Sequence, residues 1–156
     1  MTIWVDADAC PKPVKEILYR AAIRTQCQLT LIANQMLTVP RSPWIQAVQV
    51  SKGFDVADKE ILRRVAAADL VITTDIPLSA EVIGKGALVL TPRGENHDAG
   101  TIAAALTMRN FMDTLRSSGV DTGGPSAYSA NDQRTFARAL DRYLGGSGKF
   151  DKPVNS

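Results

Sequence analysis

Short apolar β-type runs alternate along this chain with stretches whose apolar residues recur at helical spacing. Thr2 to Val5 is the first run. After Pro11 and Pro13, Val14, Ile17, Leu18, Ala21 and Ala22 fall at i, i+3, i+4, i+7 and i+8, the stripe of a one-sided helix. Gln28 to Ala33 and Trp44 to Val50 read as strands, separated by a loop holding Pro40 and Pro43. Val56 to Ala68 reads as a helix with Ile61, Leu62, Val65 and Ala66 on one face. Leu70 to Thr73 and Ala87 to Leu90 are apolar runs of the kind buried parallel strands show. Between them Leu78 to Ile83 predicts a short helix closed by Gly84 and Gly86. Ala99 to Arg116 predicts a longer helix with Ala105, Met108, Met112 and Leu115 on one face. A Gly/Ser/Pro-rich loop, 117–131, leads to a last helix over 132–144. Strands separated by helices imply an α/β fold with a mainly parallel central sheet, here of about five strands.

In such a sheet the ligand site lies beyond the carboxyl ends of the strands, and that is where the acids collect. Asp6 and Asp8 follow the first strand, Asp55 the third, and Asp75 the fourth; Glu95 and Asp98 come after the fifth, with Arg93, Asn96 and His97. Asp58 shares helical spacing with Ile61, Leu62 and Val65, so it continues a buried stripe toward the same rim. A carboxylate on an inward face needs a partner. Carboxylates sharing a small space raise one another's pKa values, and a hard cation such as Mg²⁺ relieves that repulsion. Such an ion polarises a phosphoryl oxygen and acidifies a bound water. The chemistry to expect is metal-assisted hydrolysis of a phosphate ester.

Each acid also has a plainer reading. Asp55 and Asp58 suit the N-cap and first turn of the second helix, and Asp75 suits a cap before Ile76-Pro77. Asp6 and Asp8 resist it, because two acids in alternate positions at the end of an apolar strand do nothing for packing. Strand-Asp-x-Asp fits two enzyme types. In a haloacid-dehalogenase-type phosphatase Asp6 would be the nucleophile and Asp8 the general acid. That pattern wants Thr or Val where Cys10 stands, and a late acidic pair where Asp75 stands alone. A PIN-type nuclease, with acids after the first strand, on a helix and after the fourth strand, fits better.

Residues 5–11 (Val-Asp-Ala-Asp-Ala-Cys-Pro), Asp55-x-x-Asp58 and residues 69–78 (Asp-Leu-Val-Ile-Thr-Thr-Asp-Ile-Pro-Leu) resemble the YaiI/YqxD family of bacterial proteins. Pro92-Arg93-Gly94, Arg109, Arg116, Gly119, Gly124-Pro125, Asp132, Phe136 and Leu140-Asp141 extend the likeness over nearly all of residues 1–144. That family is grouped with PIN-like domains. The resemblance implies one PIN-like domain over 1–144, a three-layer α/β/α fold and a metal-dependent ribonuclease site. Carried over, the PIN-type acids fall on Asp6, Asp58 and Asp75, with Asp8 and Asp55 additional. The fourth acid of many such nucleases has no clear match; Glu81 is nearest, on a helix and expected to be solvated. The catalytic set is therefore Asp6, Asp8, Asp58 and Asp75, and Asp6, Asp8, Asp55, Asp58 and Asp75 are the ligands for Mg²⁺ or Mn²⁺. RNA or another phosphate-containing molecule is the expected substrate. The alternatives are the small-molecule phosphatase and a non-catalytic RNA-binding module with a structural ion.

The substrate-binding candidates are Asn34 at the rim, Arg93, and Arg109 with Arg116, seven apart on one helix face. Arg134, Arg138 and Arg142 form a second stripe; such stripes are either solvated surface or a phosphate-tracking groove. No aromatic-rich platform for stacking bases is evident, which argues against sequence-specific RNA reading. Cys10 reads as a small packed residue at the turn rather than a nucleophile, His97 as a loop residue near the rim, and Gly119 to Ser129 as a lid or a connector. With 18 Lys+Arg against 16 Asp+Glu, bulk basicity is not the means of any nucleic-acid binding. No apolar run approaches the roughly 20 residues of a membrane helix. No signal peptide is visible, and two cysteines make no disulfide framework, so the cytoplasm is the expected location. The glycine-containing tail, 145–156, is expected to be disordered.

Overall fold

The computed structural model describes residues 1–53, 55–124 and 126–145. Six strands and five helices make up these residues: β1 (Thr2–Asp6), α1 (Lys12–Thr25), β2 (Gln28–Ala33), β3 (Ile45–Gln49), α2 (Val56–Arg64), β4 (Leu70–Ile72), α3 (Ile76–Gly84), β5 (Leu88–Leu90), β6 (Asn96–His97), α4 (Ala99–Ser117) and α5 (Ala130–Gly145). A single 3-10 turn, Ala7–Ala9, joins β1 to α1.

The strands form one sheet in the order β3-β2-β1-β4-β5-β6. All pairs are parallel except β5–β6. β1 lies at the centre, with Ile3 opposite Leu29 on one side and Leu70 on the other. Because strand side chains alternate between faces, Ile3 and Val5 enter one core and Trp4 the other. The first core is closed by Val14, Leu18, Ala21 and Ala22 of α1 and by Phe136, Ala139, Leu140 and Leu144 of α5. The second is closed by Ile61 of α2, Val65, and Leu78 and Val82 of α3. Helices therefore cover both faces, giving three layers. The chain leaves β1 in opposite directions, toward β2 and toward β4, so the switch point lies between β1 and β4.

The structure departs from the sequence reading in four places. A sixth strand, β6, pairs antiparallel with β5, His97 opposite Val89. It is only two residues long, too short for any alternation to show. Second, α2 stops at Arg64 rather than Ala68. The Ala66 N–H donates to the Asp69 carboxylate at 3.0 Å, and the Leu62 carbonyl accepts from Lys85 Nζ at 2.6 Å, so both groups of the next helical bond are taken. Third, α3 starts at Ile76, placing Pro77 in its first turn. Fourth, α4 turns a different face inward. Ile102 is its buried residue, whereas Met108, expected inside, is 59% exposed and Phe111 56%. The helix packs chiefly on α3 and lies outside both cores. The tail from 146 onward lies outside the described residues.

At the amino-end rim Asp69 is buried and accepts three hydrogen bonds, from Thr2 N at 2.9 Å, Trp4 Nε1 at 3.0 Å and Ala66 N at 3.0 Å. It ties the start of β1 to the entry of β4.

Candidate functional site

At the opposite rim, beside the switch point, the chain delivers carboxylates from three elements. Asp6 ends β1. Its Oδ2 accepts from Thr73 Oγ1 at 3.1 Å, and Thr73 Oγ1 in turn accepts from the Asp75 N–H at 3.0 Å. One threonine hydroxyl thus couples the ends of β1 and β4. Asp75 is the N-cap of α3: its Oδ1 accepts from Leu78 N at 2.8 Å, which sets the orientation of the carboxylate. The capping reading is correct for Asp75 and does not exclude a second role.

Asp55 stands at the N-cap position of α2 but makes no capping bond, and its backbone is left-handed with φ 66°. That conformation is uncommon outside glycine, although Asp tolerates it better than most. Asp58 follows in the first turn and hydrogen-bonds with Asp75. Asp55, Asp58 and Asp75 line one pocket of about 440 Å³, with Lys59, Glu81 and Arg109 on its walls.

The electrostatics record this crowding. Burial pushes the Asp58 carboxyl up to about 7, helped by its hydrogen bond to Asp75 and by the charges of Asp75, Asp6 and Asp55. Burial also raises Asp6; the Thr73 hydrogen bond pulls it down, while Asp75 and Asp8 push it up. Five carboxyl groups therefore sense one another. Among the described residues, no three His, Cys, Asp or Glu side chains converge closely enough to form a metal cage. The donors that do meet are all carboxylate oxygens, the ligands of a hard cation. Mg²⁺ takes one or two carboxylates and completes its shell with water and phosphate oxygens, so the Asp58–Asp75 pair with Asp6 beside it fits that demand without a closed cage.

The other candidates divide. Asp8 is exposed, and its Oδ2 accepts from the Asn34 N–H at 2.9 Å, tying the turn after β1 to the end of β2. Asn34 takes part through its backbone, and neither residue lines the acidic pocket. Arg109 reaches that pocket from α4 while lying 3.5 Å from Asp113. Arg116 pairs with Asp113 and bonds Thr122 Oγ1 at 3.3 Å, away from the pocket. Arg93 pairs with Asp132 at 3.0 Å and faces a different cavity. Arg134, Arg138 and Arg142 are exposed on α5, which packs on the other face of the sheet. Asp98 is not with the acids either: antiparallel β6 carries the chain back from the rim, and Asp98 forms a capping box with Thr101 at the start of α4. Burial pushes the Cys10 thiol up to about 12, with Lys15 lowering it and Asp6 raising it, so it is protonated at neutral pH and no nucleophile.

Glu81 is exposed, as expected, and also stands on the wall of the open pocket. It lies three residues after Leu78 and four after Pro77 on α3, a spacing that shows it only once Asp75 is known to cap that helix. Lys59, also on the wall, has no signal beyond following Asp58.

A doubly wound, mainly parallel α/β protein with a carboxylate pocket beside its switch point is the class these features define. The chain belongs to the YaiI/YqxD family: the profile described as "Uncharacterized BCR, YaiI/YqxD family" matches residues 4–146. It is 60% identical over 144 residues to UPF0178 protein PC1_0756 of Pectobacterium carotovorum, spanning 92% of this chain and 96% of that one. It is 60% identical over 149 residues to UPF0178 protein HEAR0259 of Herminiimonas arsenicoxydans, spanning 96% and 100%. To a UPF0178 protein of Halorhodospira halophila it is 64% identical over 144 residues, 92% and 95% of the two chains. No solved structure matches significantly. No helix among the described residues is long and apolar enough to cross a membrane.

Proposed function

We propose that the protein is a divalent-cation-dependent phosphodiesterase of PIN-like type acting on RNA. The observation that carries the reading is that Asp58 and Asp75, from two separate elements, share one pocket beside the switch point, where an α/β sheet binds its ligand, and that the charge of Asp6 at the end of β1 acts on Asp58 there. A fold gains nothing from crowding like charges; a bound cation gives the arrangement its use.

Asp58 and Asp75 would hold Mg²⁺ or Mn²⁺, Asp55 lines the same pocket, and Asp6 would add its charge from the end of β1. When bound, the ion supplies Lewis-acid polarisation of a phosphoryl oxygen and acidification of a water. The chain's own groups do the positioning. Thr73 holds Asp6, and the Leu78 N–H holds Asp75, so neither carboxylate has to be ordered at the moment of reaction. Arg109, on the pocket wall, is placed to offset the negative charge of a phosphodiester. Lys59 provides a second cation on that wall.

The test is cleavage of mixed RNAs by the purified protein with Mn²⁺, beside an Asp6→Asn/Asp75→Asn protein. The expected result is cleavage by the wild type that chelation abolishes and the double variant lacks. Equal cleavage by the double variant would overturn the reading, because a contaminant would then account for the activity.

A further inference from the structure

The rim holds a second cavity that the acidic cluster does not use. It also measures about 440 Å³, and Pro11, Ile76, Pro92 and Tyr128 form much of its wall, with Glu95 and His97 contributing polar groups. One backbone segment separates it from the acidic pocket. Thr74 and Ile76 line this cavity, whereas Asp75 and Pro77 line the other. Three residue steps span at most roughly 11 Å, so a ligand could occupy both.

The wall is ordered in advance. The Tyr128 hydroxyl donates to the Pro92 carbonyl at 2.8 Å, and the Arg93 guanidinium sits 5.8 Å from the ring centroid. Arg93 is held by Asp132 at 3.0 Å and by Ser126. Its charge is therefore largely spent, and the Glu95 carboxylate has no hydrogen bond or ion pair among the described residues. Such a cavity does not suit a phosphate. It suits a flat, uncharged ring with apolar faces and hydrogen-bond donors on its edge, which describes a nucleobase.

We propose that this cavity binds the nucleoside adjoining the phosphate held in the acidic pocket, its base against Tyr128 and the prolines and its edge toward Glu95 and His97. This rests on the phosphodiesterase reading of that pocket. One ring and two prolines from three distant segments make this wall, which is why no aromatic cluster marks it in the sequence.

The experiment is an NMR titration, without divalent cation, using guanosine, adenosine and uridine as probes and ribose 5-phosphate as the base-free comparison. Nucleosides are expected to shift the amides of Ile76, Glu95, His97 and Tyr128, and ribose 5-phosphate to leave them in place. Tyr128→Ala should weaken nucleoside binding at least tenfold. Ala9→Phe, at an exposed position on the same cavity, should block it without touching the Tyr128 hydroxyl bond. Asp75→Asn should leave it unchanged. Equal shifts from ribose 5-phosphate, or nucleoside binding that survives Ala9→Phe, would overturn the proposal. Nucleoside binding without Mn²⁺-dependent RNA cleavage would overturn the phosphodiesterase reading and leave the cavity a nucleoside site. Cleavage without nucleoside binding would do the reverse.

Discussion

Asp69 and Asp58 show two opposite fates for a carboxylate in this fold. Burial alone would raise Asp69, but hydrogen bonds from the Trp4 indole and the Thr2 and Ala66 amides overcome it and hold the carboxyl below its ordinary 3.8. The sign follows: a depressed acid contributes stability above its unfolded value, and that contribution is lost as pH falls through the lower folded one. Asp69→Asn puts an amide donor against other donors. It should cost about 1.5–3 kcal/mol, seen as a melting-temperature drop of several degrees at pH 7 that shrinks toward pH 3. Asp58 behaves the other way. Its raised carboxyl means that the stability present below the unfolded value of 3.8 is lost as pH rises toward about 7. The facing groups are the acids Asp6, Asp55 and Asp75, with Glu81, Lys59 and Arg109 on the pocket wall. Melting of the chelator-treated protein should fall across this window, and Asp58→Asn should flatten the fall. An equal slope in the variant would mean that Asp58 is not the group responsible. Asp58 was legible in the sequence because it extended a buried stripe. Asp69 was not, since its partners at Trp4 and Ala66 become neighbours only when β1 and β4 pair.

Among the elements, α4 is the least tied to the core. Its existence was legible, from the helical spacing of Ala105, Met108, Met112 and Leu115. Its inward face was not, because apolar residues lie on more than one side of it and periodicity alone cannot choose. Ile102 is 5% exposed and Phe111 56%, so truncations there should separate. Ile102→Ala should cost about 2–4 kcal/mol and Phe111→Ala less than about 0.5 kcal/mol, as denaturant midpoints at constant slope would show. A close approach elsewhere makes a second test. Gly94, between β5 and β6, has φ 89°, and a Cβ there would lie 2.8 and 2.9 Å from the backbone of Thr135 and Phe136. Gly94→Ala should destabilise by about 2 kcal/mol or more, through left-handed strain and displacement of α5. A neutral outcome would mean that α5 yields easily at that contact.

For the molecule as a whole, the proposed ion links site and stability. A ligand that binds only the folded state raises stability by about 2.7 kcal/mol at a hundred times its dissociation constant. Mn²⁺ or Mg²⁺ should therefore raise the melting temperature at pH 8 in proportion to the logarithm of its concentration. The rise should be smaller at pH 5, where Asp58 holds a proton, and absent in Asp58→Asn/Asp75→Asn. A rise of the same size in that variant would place the ion elsewhere. The parallel sheet, the helices on its two faces and the gathering of acids at one rim all follow from local pattern. Strand ends are marked by where apolar runs stop, and a parallel sheet sends those ends the same way. The placement of Arg93 and Arg116 outside the acidic pocket, and of Glu81 within it, could not be read in this manner.

The sequence by itself determined the elements, their alternation and the ends at which charge could be tolerated, because hydrophobic period and backbone propensity act over a few residues. It also determined that Asp6, Asp58 and Asp75 would share a rim. Only the tertiary structure decided which groups at that rim meet. Strand order places β1 beside β4, so a single threonine can hold Asp6 and anchor the backbone of Asp75. The same order leaves two cavities on either side of residues 74–77. Contacts of this kind depend on distances between segments far apart in the chain, and no local pattern carries them.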